Sequence, residues 1–383
     1  MLRLLLIAAP LWIQPLEIQA SRIEQQPSIP SSQQFDYEFY DLGPTDLPME
    51  SLSRNQHTIS MSPKINDCRQ IVYNLRDQSM VLELDGRTFS PQMSSIPAHC
   101  HGIDNASNLL LSFGRSSTDT VFSLWEINHL KVTKKQSLED FYGNPGNHLF
   151  RASANGKIAV GSFMTSGPLR PLIWTKEHGL HHLGYHLGFD LLGVALDVNS
   201  QQAVIGKEFS YGEMIPFIWH QQKGLYRLQS FKSRLESIEE CRIIGKVTIA
   251  DIILGQDNML YGTYTIDDGT KDIHTFRAFS WDPIANEVRK LDLKGMRLNA
   301  VSPSRTFVGQ QQGLAALSDW GGSPIHLTEL KVSVPTEWEL IDATSINSYG
   351  DIVGYGKKNG HTQIFALKHK CATACTPYIP ECP

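Results

Sequence analysis

The sequence has no apolar run long enough to cross a lipid bilayer. Its N-terminal apolar stretch, Leu4 to Trp12, is shorter than the roughly 20 residues that a spanning helix needs. Excess positive charge is also lacking, because the formal net charge is −5 and no basic stripe indicates a nucleic-acid binder. We therefore expect neither a membrane span nor a nucleic-acid partner.

Short enzyme motifs are absent as well. The sequence contains no Gly-x-Ser-x-Gly elbow, no Gly-x-x-x-x-Gly-Lys-Ser/Thr phosphate loop and no His-Glu-x-x-His pair. These absences favour a protein without catalytic residues, without a cofactor and without a metal site. They do not exclude an enzyme whose site is assembled from distant residues.

The first twenty residues have the order of a secretory signal. Arg3 precedes the apolar run, and a short polar stretch ending in Ala20 precedes Ser21. A buried N-terminal helix is the alternative, but the abrupt polar segment that follows argues against it. We expect residues 1–20 to be a signal peptide, with export to the periplasm, the cell surface or the extracellular space. Residues 21–34 hold too few apolar groups to fold and are expected to be a disordered linker.

A turn containing Asn, an aliphatic strand ending near Gly and an apolar strand ending in Trp recur at intervals of about 45 residues. The pattern is clearest in residues 154–174 and 198–219, and seven passages fit it in all. Asn, Asp and Gly suit tight hairpins because they tolerate positive φ, and runs of Ile and Val suit strands buried on both faces. Such a unit needs neighbours to bury its faces, so the pattern predicts propeller blades.

Each repeat has room for four strands, except the last, in which Leu367 runs directly into Lys368-His369-Lys370. An orphan strand, Phe35 to Gly43, stands at the other end of the chain. If it paired with Ile364 to Leu367, it would close the ring and remove exposed sheet edges. We therefore predict an all-β fold, a single seven-bladed β-propeller over residues 35–370, with six or eight blades as alternatives.

The repeats also resemble a known family. The pattern Ile-Asn-x-x-Gly-x-Ile-Val-Gly at Ile346 to Gly354, the Phe-Ile-Trp strand and the opening Tyr37 to Gly43 resemble the bacterial extracellular repeat proteins named for a His-Ala-Phe (HAF) tripeptide. This chain departs from that tripeptide and has Arg277-Ala278-Phe279 instead. The resemblance implies an exported, propeller-like protein. It implies no catalytic residues, because the family has no general activity.

Three of the six cysteines stand singly in the repeat region, and the other three crowd residues 371–383. In an exported chain this C-terminal cluster predicts a disulfide-tied end of open connectivity, and its prolines exclude a helix or a strand. A zinc site is the alternative, but no His completes the usual paired spacing. The disulfide candidates are Cys371, Cys375 and Cys382.

Two clusters resemble metal sites without the ligand order of one. His178, His181, His182 and His186 are close in sequence, but a strand would point adjacent residues to opposite faces, and the glycines between them argue against a helix. The acidic stretch 267–272 lacks the ligand order of a calcium loop, and its Asp-Gly is a common turn. We interpret both clusters as structural.

The four repeat tryptophans share one position at the end of a strand, which favours packing between blades over sugar stacking. They are Trp125, Trp174, Trp219 and Trp281.

If the strands of a blade alternate in direction, the second-to-third-strand and blade-to-blade connections emerge on one face. The longest connections are of those two kinds: residues 134–147, 229–240, 264–274 and 330–338. Insertions gathered on one face of a repeat protein mark where it binds. The aromatic residues of that face are candidate ligand contacts: Phe141, Tyr142, Tyr185, Phe189, Tyr211 and Phe231.

The sequence thus predicts an exported, non-enzymatic binding or scaffold propeller, a monomer that engages a protein or a glycan through this face. The alternative is a secreted propeller hydrolase or lyase acting on polysaccharide. That alternative would need two or more acidic or histidine side chains converging near the central channel.

Overall fold

The structure, a computed structural model, describes residues 36–45, 62–75, 78–84, 88–89, 98–105, 107–113, 121–128, 131–138, 147–152, 158–163, 168–175, 177–210, 213–238, 246–267, 276–320 and 322–370. These ranges contain 29 strands, two α-helices and one turn of 3-10 helix. The expected signal peptide, linker and cysteine-rich C-terminus lie outside them. In the part of the chain that is described, no helix is long and apolar enough to span a membrane.

The strands form the seven sheets of a β-propeller, so the predicted fold is confirmed. In blades 1 to 6 the strands follow one another across the sheet in chain order. The strands of blades 1 to 3 are β2 (Lys64–Ile65), β3 (Gln70–Leu75), β4 (Gln78–Glu83) and β5 (Thr88–Phe89); β6 (Ala98–Ile103), β7 (Asn108–Phe113), β8 (Val121–Asn128) and β9 (Lys131–Leu138); β10 (Asn147–Ala152), β11 (Ile158–Phe163), β12 (Arg170–Thr175) and β13 (Gly179–His182).

The later blades follow the same plan. Their strands are β14 (Gly193–Val198), β15 (Ala203–Ser210), β16 (Glu213–His220) and β17 (Gly224–Arg227); β18 (Lys246–Leu254), β19 (Leu260–Asp267), β20 (Arg277–Asp282) and β21 (Glu287–Leu291); β22 (Met296–Val301), β23 (Phe307–Gln311), β24 (Leu314–Ser318) and β25 (Ile325–His326); β27 (Trp338–Ile346), β28 (Ile352–Lys358) and β29 (His361–His369). The 3-10 turn is Leu327–Glu329, and the helices are α1 (Gly184–Leu187) and α2 (Phe231–Ile238).

Blade 7 takes its fourth strand from the other end of the chain. β1 (Asp36–Pro44) pairs antiparallel with β29, and the register places Tyr40 opposite Ala366 and Asp41 opposite Phe365. A short strand, β26 (Lys331–Val332), pairs parallel with the start of β1. The order of this sheet is therefore β26-β1-β29-β28-β27.

The alternation of strand direction divides the propeller into two faces. We call the face that carries the first-to-second-strand hairpins the turn face. The opposite face carries the second-to-third-strand connections and the links between blades, and we call it the loop face. Helices α1 and α2 both follow the fourth strand of a blade, so they lie on the loop face.

The hairpin between the first and second strands is described in six blades, and it has the same geometry in all six. In blade 4, Gln202 donates its backbone N–H to Asn199 O at 3.0 Å, and Gln202 itself has a φ of 64°. This is a type I turn followed by a left-handed residue. An Asn at the first position of this turn is therefore not the positive-φ residue, because that conformation falls three positions later; in blade 5 a different Asn, Asn258, occupies the later position, with a φ of 61°.

The Asn side chain instead ties the blades together. Asn199 Oδ1 accepts the backbone N–H groups of Gln201 and Ala203, both at 3.0 Å, while its Nδ2 donates to Gly255 O of blade 5 at 3.0 Å. Asn66 makes the same inter-blade bond to blade 2 at 2.9 Å. Asn347 makes it from blade 7 to Asn66 O of blade 1 at 3.1 Å. We call these three buried residues the clasp asparagines; they are Asn66, Asn199 and Asn347.

Apolar clusters fill the space between blades. Seven such clusters in the described chain each join side chains from two successive blades, and one of them joins blade 7 to blade 1. Trp219 belongs to one apolar cluster with Ile158 and Val160 of blade 3, and Trp281 belongs to a cluster with apolar side chains of blade 4. The interpretation of these tryptophans as packing residues is confirmed.

Several predicted connections contain regular structure. Residues 134–138 belong to β9 and residues 264–267 to β19, while α2 occupies most of 229–240. No helix aligns the four clustered histidines, as expected from the glycines: His181 and His182 lie in β13, and of the four only His186 lies in the single turn α1. Gly188, at a φ of 70°, ends this single turn in the left-handed conformation, which is the usual role of a glycine after a helix.

Candidate functional site

The six aromatic candidates have different positions. Tyr185 and Phe189 lie on the loop face with exposed fractions of 67% and 43%. Phe231 begins α2 but packs inward, with ring centroids 5.7 Å from Tyr264 and 4.6 Å from Phe279. The remaining three lie outside the described residues: Phe141, Tyr142 and Tyr211.

Helix α1 and the turn after it present the two exposed rings. A Cβ at Gly184 would collide with the backbone oxygen of Phe189, so glycine permits the chain to fold back tightly here. The ring of Tyr185 meets that of His181 edge to face at 5.6 Å between centroids. The ring of Phe189 carries the guanidinium of Arg227 on one side, 5.1 Å from its centroid.

Two ion pairs flank these rings. Arg170 donates from Nε and Nη2 to the two carboxylate oxygens of Asp190 at 2.8 and 2.9 Å. Arg227 donates to Glu208 at 2.5 and 3.4 Å. The hydrogen bonds from Arg170 hold the pKa of Asp190 below its usual value, so this pair stays charged around neutral pH. We call these four charged residues together with Tyr185 and Phe189 the aromatic surface.

Blade 4 also exposes apolar side chains toward its other neighbour. Phe209 and Met214 are paired across β15 and β16, and they are 39% and 40% exposed. On the same side of β15, Lys207 reaches blade 5 and donates to Ile249 O and Ala250 O. The loop-face end of blade 4 therefore carries exposed large apolar groups on both of its sides.

A cavity of about 180 Å³ lies at the ring centre, lined by first strands and their turns from six blades. Its polar lining includes Lys64, Asn299 and Thr344. Ligand pockets typically enclose roughly 300–1,000 Å³, so this cavity is small for a polymeric substrate.

Two carboxylates near the ring centre, Asp251 and Asp342, interact electrostatically with each other and with Arg297. Asp251 forms a two-bond ion pair with Arg297, with Nε to Oδ2 at 2.7 Å. Asp342 accepts a hydrogen bond from Asn299 Nδ2 at 2.6 Å. Burial raises the pKa of Asp342 to about 7, against the opposing effects of Arg297 and Asn299. Asp342 therefore titrates near neutral pH, as an acid–base group in an enzyme would.

β-Bulges in the first strands aim polar side chains at the next blade. The register of β22 shifts between Leu298 and Ala300, so Asn299 is the bulged residue, and it also donates to Ala343 O of blade 7 at 2.9 Å. Thr344 is bulged in β27 and donates its hydroxyl to Pro63 O at 2.8 Å. Bulges commonly redirect a side chain in this way.

The described histidines near α1 have protein contacts. Nδ1 of His181 lies 3.0 Å from Gly179 O, and Nδ1 of His178 lies 3.3 Å from the hydroxyl of Thr175. Among the described residues there is no group of three or more side chains arranged to hold a metal ion.

Sequence patterns did not reveal the charged members of the aromatic surface or the two carboxylates near the ring centre. Asp251, Arg297 and Asp342 are the charged residues within the central parts of three first strands, but these strands also contain other polar residues, so their pattern carried no clear signal. The ion pairs of the aromatic surface had no signal either, since their partners lie 20 and 19 residues apart without a repeated pattern.

No protein-family model matches the chain, and no curated protein matches its sequence. Solved structures match its fold. An oligogalacturonate lyase from Vibrio parahaemolyticus is 9% identical at a TM-score of 0.50, over 87% of this chain and 97% of that one. A chain of the Mitotic Checkpoint Complex is 9% identical at 0.48, over 90% and 97%. The putative TolB from Agrobacterium tumefaciens is 12% identical at 0.42, over 62% and 82%. At these identities the likeness shows the propeller fold alone.

Proposed function

We propose that the protein is an exported, non-enzymatic binding propeller that engages a protein or a glycan through its loop face. The observation that carries the proposal is the aromatic surface, where two exposed rings stand beside two ion pairs on the face that also carries both helices. Exposed aromatic and arginine side chains are the groups most often responsible for binding energy at protein surfaces. We also propose membership of the bacterial extracellular repeat family that the sequence resembles.

A matched pair of variants tests the proposed binding face. The purified mature protein is immobilised and offered separately to a glycan panel and to secreted proteins of the producing culture. The double variant Tyr185→Ala/Phe189→Ala should lose the retained ligand. The control Ile284→Ala should keep it, because Ile284 is 67% exposed but lies on the turn between β20 and β21, on the other face. Retention that survives the double variant would place binding elsewhere.

Export has its own test. Mass spectrometry of protein recovered outside the cytoplasm should give a mature N-terminus near Ser21. Recovery of the chain with Met1 intact from the cytoplasm would contradict it.

A second candidate function is a polysaccharide hydrolase or lyase at the ring centre, because Asp342 and Asp251 interact electrostatically there and burial raises the pKa of Asp342 to about 7. Two features favour binding instead. Asp251 is held in an ion pair by Arg297, and the cavity is small. Screening for new reducing ends or unsaturated uronates should show no turnover. Turnover that disappears in Asp342→Asn would establish the enzyme.

A further inference from the structure

The ion pairs of the aromatic surface give it a particular chemistry. Both arginines meet their carboxylates through two nitrogens, a geometry that fixes the plane of each guanidinium. The two pairs contribute no net charge. A charged ligand therefore gains little electrostatic attraction from them, since any approach to one charge is also an approach to its opposite.

The same pairs remain rich in hydrogen-bonding capacity. A guanidinium has five N–H donors and a carboxylate has about four acceptor positions, so two contacts leave both partners able to bind further groups. Asp190 is 54% and Arg170 26% exposed at the side chain, which leaves this pair accessible. A ligand that can both donate and accept, as a hydroxyl group does, matches such a pair.

The exposed rings supply the apolar half of the site. Phe189 has Arg227 on one side, so a ligand can stack only on the other. Tyr185 projects from α1 with two thirds of its surface open. The electron-rich faces of such rings attract the slightly positive C–H groups of a sugar ring. Aromatic faces bordered by paired donors and acceptors suit a molecule with apolar C–H faces and a hydroxyl rim.

We propose that the aromatic surface binds a neutral glycan chain, with sugar rings against Tyr185 and Phe189 and hydroxyl groups hydrogen-bonded to the Arg170–Asp190 and Arg227–Glu208 pairs. This proposal rests on the proposed function and selects its ligand class. A protein ligand or an anionic polysaccharide is the outcome that would replace it.

The test is affinity electrophoresis in gels that contain one soluble polysaccharide each. The neutral probes are a glucomannan, a hydroxyethyl cellulose, a xyloglucan, a galactan and a dextran; the anionic probes are polygalacturonate and alginate. At least one neutral probe should retard the protein, with retardation unchanged between low and moderate salt because no net charge is involved. Tyr185→Ala and Phe189→Ala should each weaken the apparent affinity by about tenfold or more.

Two further variants separate the chemistry of the site from its stability. Asp190→Asn leaves Arg170 with an uncompensated charge, so it should weaken retardation by the neutral probe and create new, salt-sensitive retardation by polygalacturonate. Ile284→Ala should behave as the wild type. Thermal unfolding of every variant should remain close to that of the wild type, because the altered side chains are partly or largely exposed.

The outcomes distinguish the proposal of a neutral glycan ligand from the broader proposal that the loop face binds a protein or a glycan. If no neutral probe retards the protein, but a secreted protein binds and is lost in Tyr185→Ala, the loop face binds a protein and the glycan proposal is wrong. Retardation only by anionic probes, abolished by salt, would also overturn it. If neither glycan nor protein binding responds to the loop-face variants, both proposals fail.

Discussion

On the turn face, six described hairpins share one backbone geometry, and the side chains at their tips bond to the neighbouring blade. On the loop face, the connections are of different lengths and contain two helices, a 3-10 turn and the exposed rings of Tyr185 and Phe189. The polar groups of the turn face are engaged in hydrogen bonds within the protein. On the loop face, the rings of Tyr185 and Phe189 remain open to a ligand, while on the turn face Ile284 and Trp320 are also exposed.

This difference separates stability from recognition within one repeat. The blades must meet their neighbours in the same way at every seam, so the turn face is constrained by a geometry that repeats. Nothing requires the loop face to repeat, and its sequence is free to vary. Four predictions test the separation, in order of decreasing effect.

Removal of β1 should have the largest effect, because it strips the outer strand from blade 7 and exposes β29 as an unpaired edge. A chain beginning at residue 45 should unfold at a much lower temperature than one beginning at residue 36, and it should aggregate. Calorimetry and light scattering measure both effects. Equal unfolding temperatures of the two chains would show that the pairing of β1 with β29 contributes little to stability.

On the turn face, Asn347→Ala should cost on the order of 2–4 kcal/mol of unfolding free energy, since it leaves several buried partners without hydrogen bonds. Ser302 occupies the matching turn of blade 6, where its hydroxyl accepts the Thr306 N–H of its own hairpin. Ser302→Ala should cost less, about 1 kcal/mol. Urea titration measures both, and equal losses would contradict the role of the clasp asparagines.

At the ring centre, Asp342 should make stability depend on pH. Its pKa is about 7 in the folded state and about 3.9 when unfolded, so the folded chain holds the extra proton between these values. The free energy of unfolding should therefore fall as pH rises from 4 to 7, by on the order of 1–3 kcal/mol.

Unfolding at pH 5 and pH 8 tests this sign. Asp342→Asn should match the wild type at pH 5 and be more stable than it at pH 8. The exposed Asp292→Asn serves as the control and should leave the pH dependence unchanged. If the wild type instead gained stability relative to Asp342→Asn between pH 5 and pH 8, the raised pKa assigned to Asp342 would be wrong.

The smallest effect should follow from substitutions on the loop face. Tyr185→Ala and Phe209→Ala should each change the unfolding free energy by less than about 0.5–1 kcal/mol, because both rings are substantially exposed. A larger loss of unfolding free energy in Tyr185→Ala would mean that the contact of Tyr185 with His181 stabilises the fold. The loop face would then contribute to stability as the turn face does.

The fold could be predicted because its constraints repeat. Every blade buries strands on both sides against similar neighbours, so residues such as Trp174 and Trp219 recur at one position and reveal the period. The N-terminal strand was predictable for a related reason, since the last repeat was one strand short.

The candidate site was only partly predictable. Tyr185 and Phe189 could be assigned to the loop face by topology, but the inward packing of the partly buried Phe231 depends on how α2 packs against blade 5. Gly184 and Gly188 argued against a helix by propensity, yet here they permit a close backbone approach and a left-handed helix end. The environment of Asp342 arises where three blades meet, which local sequence does not encode.

The strand borrowed from the N-terminus also sets the order of folding. Asp41 and Lys358, which form an ion pair in the finished blade, are separated by 317 residues of chain. Contacts of such sequence separation form late, because the entropy of closing the intervening chain must be offset by structure already in place. During synthesis, β1 must therefore wait unpaired until β29 has emerged. The native ring is a state that only the finished chain can reach, and a chain interrupted before β29 has no partner for its own beginning.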